Sequence, residues 1–284
     1  MGDKSTIEWT DSTWNPVTGC TKVSQGCKNC YAKTVHDNRH KAFLNGKKMP
    51  PQYSVAFEQL LTHPDRLAAP LHWRKPRRIF VNSMSDLFHE DIPSDFIESV
   101  FHRMAMAKQH TFQVLTKRPE RMFNFLTGGK AFSSPLPNVW LGVSVEDRET
   151  WLDRSGPLKQ TPAAVRFISY EPTLADIGLI DLTGIHWLIA GGESGPHARP
   201  AHPDWFRSAR DQCAAAGVPF FFKQWGEWAP GDVIAVREMA DVERVKDSRH
   251  FKFLPPHDEQ IVMRVGKKAA GRLLDGREHS EYPT

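Results

Sequence analysis

No run of apolar residues in this chain approaches the ~20 that a membrane-crossing helix needs, so no membrane partner is expected. The opening segment, MGDKSTIEWT, has no apolar core of the kind a secretory signal carries, and a cytoplasmic location is the expectation. Neither sign of charge dominates: 37 basic against 33 acidic residues give a net charge of +4 and a pI near 8.8. That balance permits a polyanionic partner without requiring one. Internal repeats and low-complexity stretches are absent. With 40% hydrophobic and 25% charged residues, the composition excludes disordered, collagenous and coiled-coil chains. Cysteine is scarce, with four in 284 residues, and a chain this long can bury a core without disulfide staples.

Scarce as they are, three of the four cysteines fall in one short string, CTKVSQGCKNC, as Cys20, Cys27 and Cys30. Gly19 and Gly26 let the backbone turn sharply beside them, so three thiolates can converge on one point. In a reducing compartment clustered thiols bind metal or do redox chemistry more often than they form disulfides. Soft ligands suit an iron–sulfur cluster or zinc, and a redox or inert set is the third reading. For zinc, His36 and His40 are the available extra ligands, but the C-x5-H spacing after Cys30 is too short for a ββα finger, where about twelve residues intervene. A cluster held by three cysteines leaves one iron open, whereas a purely electron-transferring cluster usually has four thiolates. A thioredoxin-type reading of Cys27 and Cys30 would need a βαβ context that the Trp- and Pro-rich leading segment does not offer. Cys213, in the helical-looking RSARDQCAAAGV, reads as a buried inert thiol.

From residue 79 onward, apolar runs about five residues long recur: Ile79–Asn82, Phe112–Leu115, Val139–Val143, Val165–Ile168, Trp187–Ala190 and Val218–Phe222. Continuous apolarity without alternation predicts parallel strands buried on both faces. Their starts lie 33, 27, 26, 22 and 31 residues apart, close to the ~30 of a strand-plus-helix unit. Helices are predicted at Ile92–Gln109, Pro119–Leu126 and Pro203–Ala216, the last stopped by Gly217. Thr6–Val17 is the candidate first strand, and 33–78 reads as helices and loop without a clear strand. The expected fold is α/β, a complete or partial (β/α) TIM-type barrel with parallel strands, with a doubly wound sheet as second choice. Residues 1–228 are read as the barrel. Residues 229–284, with the strand-like Gln260–Val265, are read as an appendage closing it or covering its mouth.

In a parallel barrel the working site lies at the carboxyl ends of the strands. The runs end in Asn82-Ser83-Met84-Ser85-Asp86, in Thr116-Lys117-Arg118, in Ser144 and Glu146, in Ser169-Tyr170-Glu171, in Gly191-Gly192-Glu193-Ser194 and in Lys223-Gln224-Trp225. Any one polar loop is ordinary solvation, but six successive runs and the cysteine loop at one end suggest a metal centre facing a polar pocket. The Gly191-Gly192-Glu193 string offers backbone approach and a carboxylate for a cationic amino group, or a plain tight turn. Lys117 and Arg118 suit a carboxylate or phosphate. Trp9, Trp14, Trp225 and Trp228 are expected in the core or rim, with base stacking as the functional alternative. His36, His40 and His89 are read as structural.

The three-cysteine loop ahead of a β–α series resembles the radical S-adenosylmethionine (SAM) enzymes. More closely, the chain resembles the three-cysteine-motif phage protein family. The matching strings are IEWTDSTWNPVTGC, CKNCYA, SMSDLFHEDIP, LTKRPERM, WLGVSVED, RFISYEP, LIAGGESG, FFFKQWGEW and GKKAAGRLLDGR. CKNCYA and LTKRP are also similar to spore photoproduct lyase, a DNA-repair radical enzyme. The resemblance implies that Cys20, Cys27 and Cys30 hold a [4Fe–4S] cluster whose open iron chelates SAM. Reductive cleavage of SAM then gives a 5′-deoxyadenosyl radical that abstracts a substrate hydrogen. The usual spacing is C-x3-C-x2-C, against C-x6-C-x2-C here, and Asn29 stands where an aromatic residue usually precedes the last cysteine, with Tyr31 following instead. The family's Gly-Gly-Glu follows the second strand, a position held here by Ser83, Ser85 and Asp86. The expected cofactor contacts are Tyr31, Ser83, Ser85, Asp86, Thr116, Lys117, Ser144, Glu146, Glu171 and Glu193, with no catalytic residue assigned. An electron donor and a nucleic-acid or nucleotide substrate are the expected partners. The competing reading is a non-catalytic, zinc-stabilised nucleic-acid-binding protein.

Overall fold

The computed structural model describes residues 4–128, 134–231, 251–254 and 260–284. Each of the six apolar runs carries a strand: β4 Arg78–Val81, β5 Thr111–Thr116, β6 Val139–Val145, β7 Val165–Tyr170, β8 Trp187–Gly191 and β9 Phe220–Gln224. Ahead of them come β1 Ser12–Trp14, β2 Val17–Thr18 and β3 Leu61–Thr62. The helices are α1 Tyr31–Leu44, α2 Ser94–Met106, α3 Pro119–Thr127, α4 Arg148–Gln160 and α5 Pro203–Ala216. The result is a mixed α/β chain with a seven-stranded sheet ordered β1-β4-β5-β6-β7-β8-β9. The registers of β1 with β4, β4 with β5, β5 with β6 and β8 with β9 are all parallel. This order steps one way throughout, without the mid-sheet reversal that defines a doubly wound sheet.

Cα proximity divides the chain into two compact units, Met1–Ser144 with Asp153–Phe167, and Val145–Leu152 with Ile168–Thr284. In the first, Ile79, Val81, Phe112 and Val114 are fully buried on the strands. Helix α2 buries Ile97, Val100, Phe101 and Met104, the i, i+3, i+4, i+7 stripe of an amphipathic helix. In the second, Leu188, Ile189 and Phe222 are fully buried, and α5 turns Phe206, Ala209 and Cys213 inward. Burial pushes the Cys213 thiol up to about 12, which makes it the inert cysteine expected. This unit also holds a three-stranded antiparallel sheet in which β12 (Gln260–Arg264) lies between β10 (Trp228–Pro230) and β11 (Phe251–Leu254). Of the expected appendage, 232–250 and 255–259 lie outside the described residues.

Two expectations change at the front of the chain. The predicted strand over Thr6–Val17 shrinks to the three residues of β1, because Pro16 offers no donor to a ladder and separates β1 from β2. The stretch 33–78 contains one strand after all, the two-residue β3, paired antiparallel with β2 through Val17–Thr62 and Thr18–Leu61. Two residues are too short a run to show as a pattern. All four tryptophans in question are packed at 5% exposure or less. Trp14, Trp225 and Trp228 donate their indole N–H to the carbonyls of Arg66, Leu273 and Ala198, so each polar handle is satisfied inside the protein. No helix among the described residues is long and apolar enough to cross a membrane.

Burial also sets a pH dependence. His110 is 1% exposed, lies edge-on to Phe112 and donates from Nε2 to the Pro70 carbonyl at 3.0 Å. Burial holds its pKa, and that of His279, below the ordinary value. Both rings are then neutral when folded but take up a proton at about pH 6.5 when unfolded, so stability is full above that pH and falls below it. Denaturant unfolding measured from pH 8 to pH 5 should show that decline, and His110→Gln, which keeps a donor for Pro70, should make it shallower while the other buried histidines supply the rest. An unchanged slope in the variant would count against this origin.

Candidate functional site

The cysteine loop starts where β2 ends. Gly19 sits at φ +92, and a Cβ there would lie 2.7 Å from the Gln59 carbonyl oxygen, so glycine alone fits. Its N–H donates to the Met84 carbonyl (3.2 Å) and the Cys20 N–H to the Phe57 carbonyl (3.0 Å), fixing the loop's entry beside the segment that follows β4. A 3₁₀ turn, Gln25–Cys27, carries the second cysteine, and Cys30 stands at the start of α1. All three thiols are free and partly exposed.

Asp86 and Arg118 tie this loop to the ends of β4 and β5. Asp86 accepts from the Phe88 N–H (3.0 Å) and the Thr116 hydroxyl (2.7 Å) on one oxygen, and from the Lys117 N–H (3.0 Å) and Arg118 (3.2 Å) on the other. Arg118 spreads its guanidinium over Asp86, Glu90 (2.6 Å) and the Thr21 hydroxyl (3.0 Å), with Cys20 Sγ at 3.9 Å. His89, fully buried, accepts from the Asp91 N–H at Nδ1 and so donates from Nε2 to the same Thr21 hydroxyl (2.7 Å). Burial keeps this ring below its ordinary pKa. Burial also pushes the Cys20 thiol up to about 12, with the Asp86 charge adding to the effect and Arg118 opposing it. The Arg118 hydrogen bond holds Glu90 down at about 2. Burial alone would lower Arg118, but Glu90, Asp86 and Cys20 together raise it.

Several expected cofactor contacts are therefore braces of the loops themselves. Besides Asp86 and Thr116, Ser85 donates to the Val17 carbonyl (2.9 Å) and Ser83 to Asn15 Oδ1 (3.2 Å). Ser144 is buried, its carbonyl accepting from Arg154 (2.7 Å). Lys117 is placed by its backbone bond to Asp86, and Tyr31 projects outward at 67% exposure. The first unit thus brings Cys20, Ser83, Ser85, Asp86, Thr116 and Lys117 together at the ends of its strands, while Cys27, Cys30 and Tyr31 lie further along the cysteine loop.

In the second unit Glu146 is fully buried and Glu171 pairs with Lys223. Glu193 is 5% exposed and gripped by Arg199 through the backbone N–H (2.8 Å), Nε (2.9 Å) and the second guanidinium nitrogen (2.6 Å). Gly192 has a plain steric reason, because a Cβ there would lie 1.9 Å from the Trp225 carbonyl oxygen. The Gly-Gly-Glu string of this chain thus serves a close backbone crossing and an internal ion pair. Arg199 was missed in the sequence, as was Thr21. Neither sits in a run or spacing that marks it.

For a metal centre the donor set fits in kind: three free thiols on one loop. Among the described residues, however, no three His, Cys, Asp or Glu side chains are grouped closely enough to hold an ion. His36 and His40 donate to the Gln52 (3.0 Å) and Tyr53 (2.8 Å) carbonyls, the structural roles expected of them.

Residues 4–283 match the model of a family described as a protein of unknown function, DUF5131. The chain belongs to that family. No curated protein and no solved structure matches it.

Arg118 and Asp86 are each 9% exposed, so Arg118→Gln leaves a buried carboxylate without its cation and should cost about 3 kcal/mol. Glu90 is 61% exposed, and Glu90→Gln should cost under about 1 kcal/mol. Urea unfolding of the two variants checks the contrast, and equal losses would contradict it.

Proposed function

We propose that this protein is an iron–sulfur enzyme of the radical SAM type, in which Cys20, Cys27 and Cys30 hold a [4Fe–4S] cluster and S-adenosylmethionine is the cofactor. In this reading the seven-stranded sheet is a partial (β/α) barrel and the substrate is a nucleic acid or nucleotide. The observation that supports it is the anchoring of a loop with three free thiols to the carboxyl ends of β4 and β5, through Gly19–Met84 and through Arg118. When bound, the cluster supplies the electron that cleaves SAM, and with it a radical able to abstract hydrogen.

The chain's own residues prepare that loop. Arg118 and Thr21 hold its first turn against Asp86, and the Arg118 guanidinium lies 3.9 Å from Cys20 Sγ. Since burial raises the Cys20 thiol, binding must displace its proton, and loading should tighten as pH rises. The 3₁₀ turn at Gln25–Cys27 and the first turn of α1 must also draw the sulfurs together, since they are not grouped as they stand.

Anaerobic reconstitution with iron and sulfide should give a brown protein with charge-transfer absorption, and reduction in the presence of SAM should release 5′-deoxyadenosine. Cys27→Ala should abolish both. A colourless protein that instead binds zinc stoichiometrically through the same cysteines would replace this reading with the non-catalytic, zinc-stabilised one.

A further inference from the structure

Within the first unit a cavity of about 360 Å³ opens beside α1, lined by the N-terminal residues 4–7, by β1 and by the segment around Gln52. The described residues that line it include Lys4, Arg39 and Arg66 but no aspartate or glutamate. Some arginines of the chain are matched with acids, Arg118 with Asp86, Arg199 with Glu193, and Arg207 and Arg210 with Asp275. The two arginines here bond neutral groups instead. Arg66 donates to Gln52 Oε1 (2.9 Å) and to the Asn15 carbonyl (3.3 Å), both neutral. Arg39 donates to the Tyr53 hydroxyl and lies over the Tyr53 ring at 5.2 Å. Guanidinium groups whose hydrogen-bond acceptors are neutral keep a charge that a bound anion can match, even with Asp65 adjacent to Arg66, and their forked donors suit phosphate.

Two further features describe the rest of the ligand. His36, 2% exposed, also lines the cavity; it donates from Nε2 to the Gln52 carbonyl, which leaves Nδ1 as a buried acceptor with no hydrogen-bond partner. The nearest charge, Asp37, is 3.9 Å from that nitrogen and is itself paired with Lys33, so Nδ1 remains open to a donor from a ligand. At the rim Tyr31 presents an aromatic ring at 67% exposure, a surface on which a base can stack.

We propose that this cavity binds a nucleotide, with its phosphate on Arg39, Arg66 and Lys4, a hydroxyl or amino donor on His36 Nδ1 and its base against Tyr31. The same chemistry is presented by a free nucleotide and by a residue of a nucleic-acid strand. Its charge disfavours S-adenosylmethionine, whose ammonium and sulfonium outnumber its one carboxylate. The site names the substrate class of the iron–sulfur reading and rests on that reading only for what happens to the bound nucleotide. Binding itself requires no cluster.

Calorimetric titration of the full chain, as purified and as the Cys20→Ala/Cys27→Ala/Cys30→Ala variant, with AMP, adenosine, inorganic phosphate and a short 5′-phosphorylated single strand separates these points. AMP should bind at least about tenfold more tightly than either adenosine or phosphate in both proteins, the weight of one charge-assisted contact. Arg39→Gln, on the exposed side of α1, should weaken AMP about tenfold and leave adenosine unchanged, with Arg66→Gln as the second variant. Tyr31→Ala should weaken AMP but not phosphate. A strand that binds more tightly than AMP assigns the site to nucleic acid, and one that binds more weakly assigns it to the free nucleotide. AMP binding no better than adenosine or phosphate, or unaffected by Arg39→Gln, would overturn the proposal. AMP binding by both proteins, alongside failure of the unmodified chain to load a cluster, would leave the site standing and remove the enzyme reading.

Discussion

A buried carboxylate organises the end of the first unit. Asp86 has two oxygens to satisfy in a place with little water, and it does so with a donor from its own turn, a hydroxyl and an N–H from the end of β5, and the Arg118 guanidinium. A buried charge left with fewer partners would be costly, so these four donors fix the loops after β4 and β5 relative to each other. Arg118 then carries the constraint across to Thr21, beside the first cysteine. The cysteine loop is thereby tethered at its start while Cys27 and Cys30 lie on short, partly exposed turns. The loop is thus fixed at its first cysteine, while the other two cysteines lie further along it and are partly exposed.

Charge is handled in two ways along this chain. At the strand ends, acids and bases cancel internally: Asp86 with Arg118, Glu171 with Lys223, Glu193 with Arg199. The lining of the cavity beside α1 is different, with Lys4, Arg39 and Arg66 and no acid among its described residues. A modest excess of four positive charges over the whole chain hides this contrast, because composition averages over sites.

The strands were legible in the sequence because both their faces are buried: runs such as VWLGVSV and WLIAG have no reason to be continuously apolar otherwise. Helix α5 was legible to the residue, since Pro203 opens it and Gly217 closes it. The spacing of the runs pointed to strand-plus-helix units, but it left a barrel and a doubly wound sheet both open, and only the strand order decides between them. What was not legible depends on partners distant in sequence. The Asp86–Arg118 contact spans 32 residues, and nothing local in SMSDLF distinguishes an acid that braces a loop from one that waits for a ligand. Likewise Gly192 and Glu193 look like a cofactor loop until the Trp225 carbonyl and Arg199 are placed beside them. The cavity beside α1 draws on residues 4 to 84, in the stretch with the least periodic pattern.

The tethered thiol loop is proposed as the ligand set of an iron–sulfur cluster. Iron, acid-labile sulfide and zinc counted together on protein isolated without oxygen test it most directly. Iron and sulfide are expected in equal amounts, in the ratio of one [4Fe–4S] unit per chain, and both should be lost when Cys20, Cys27 and Cys30 are replaced together. Stoichiometric zinc with no sulfide, or iron that stays bound after all three cysteines are gone, would contradict it.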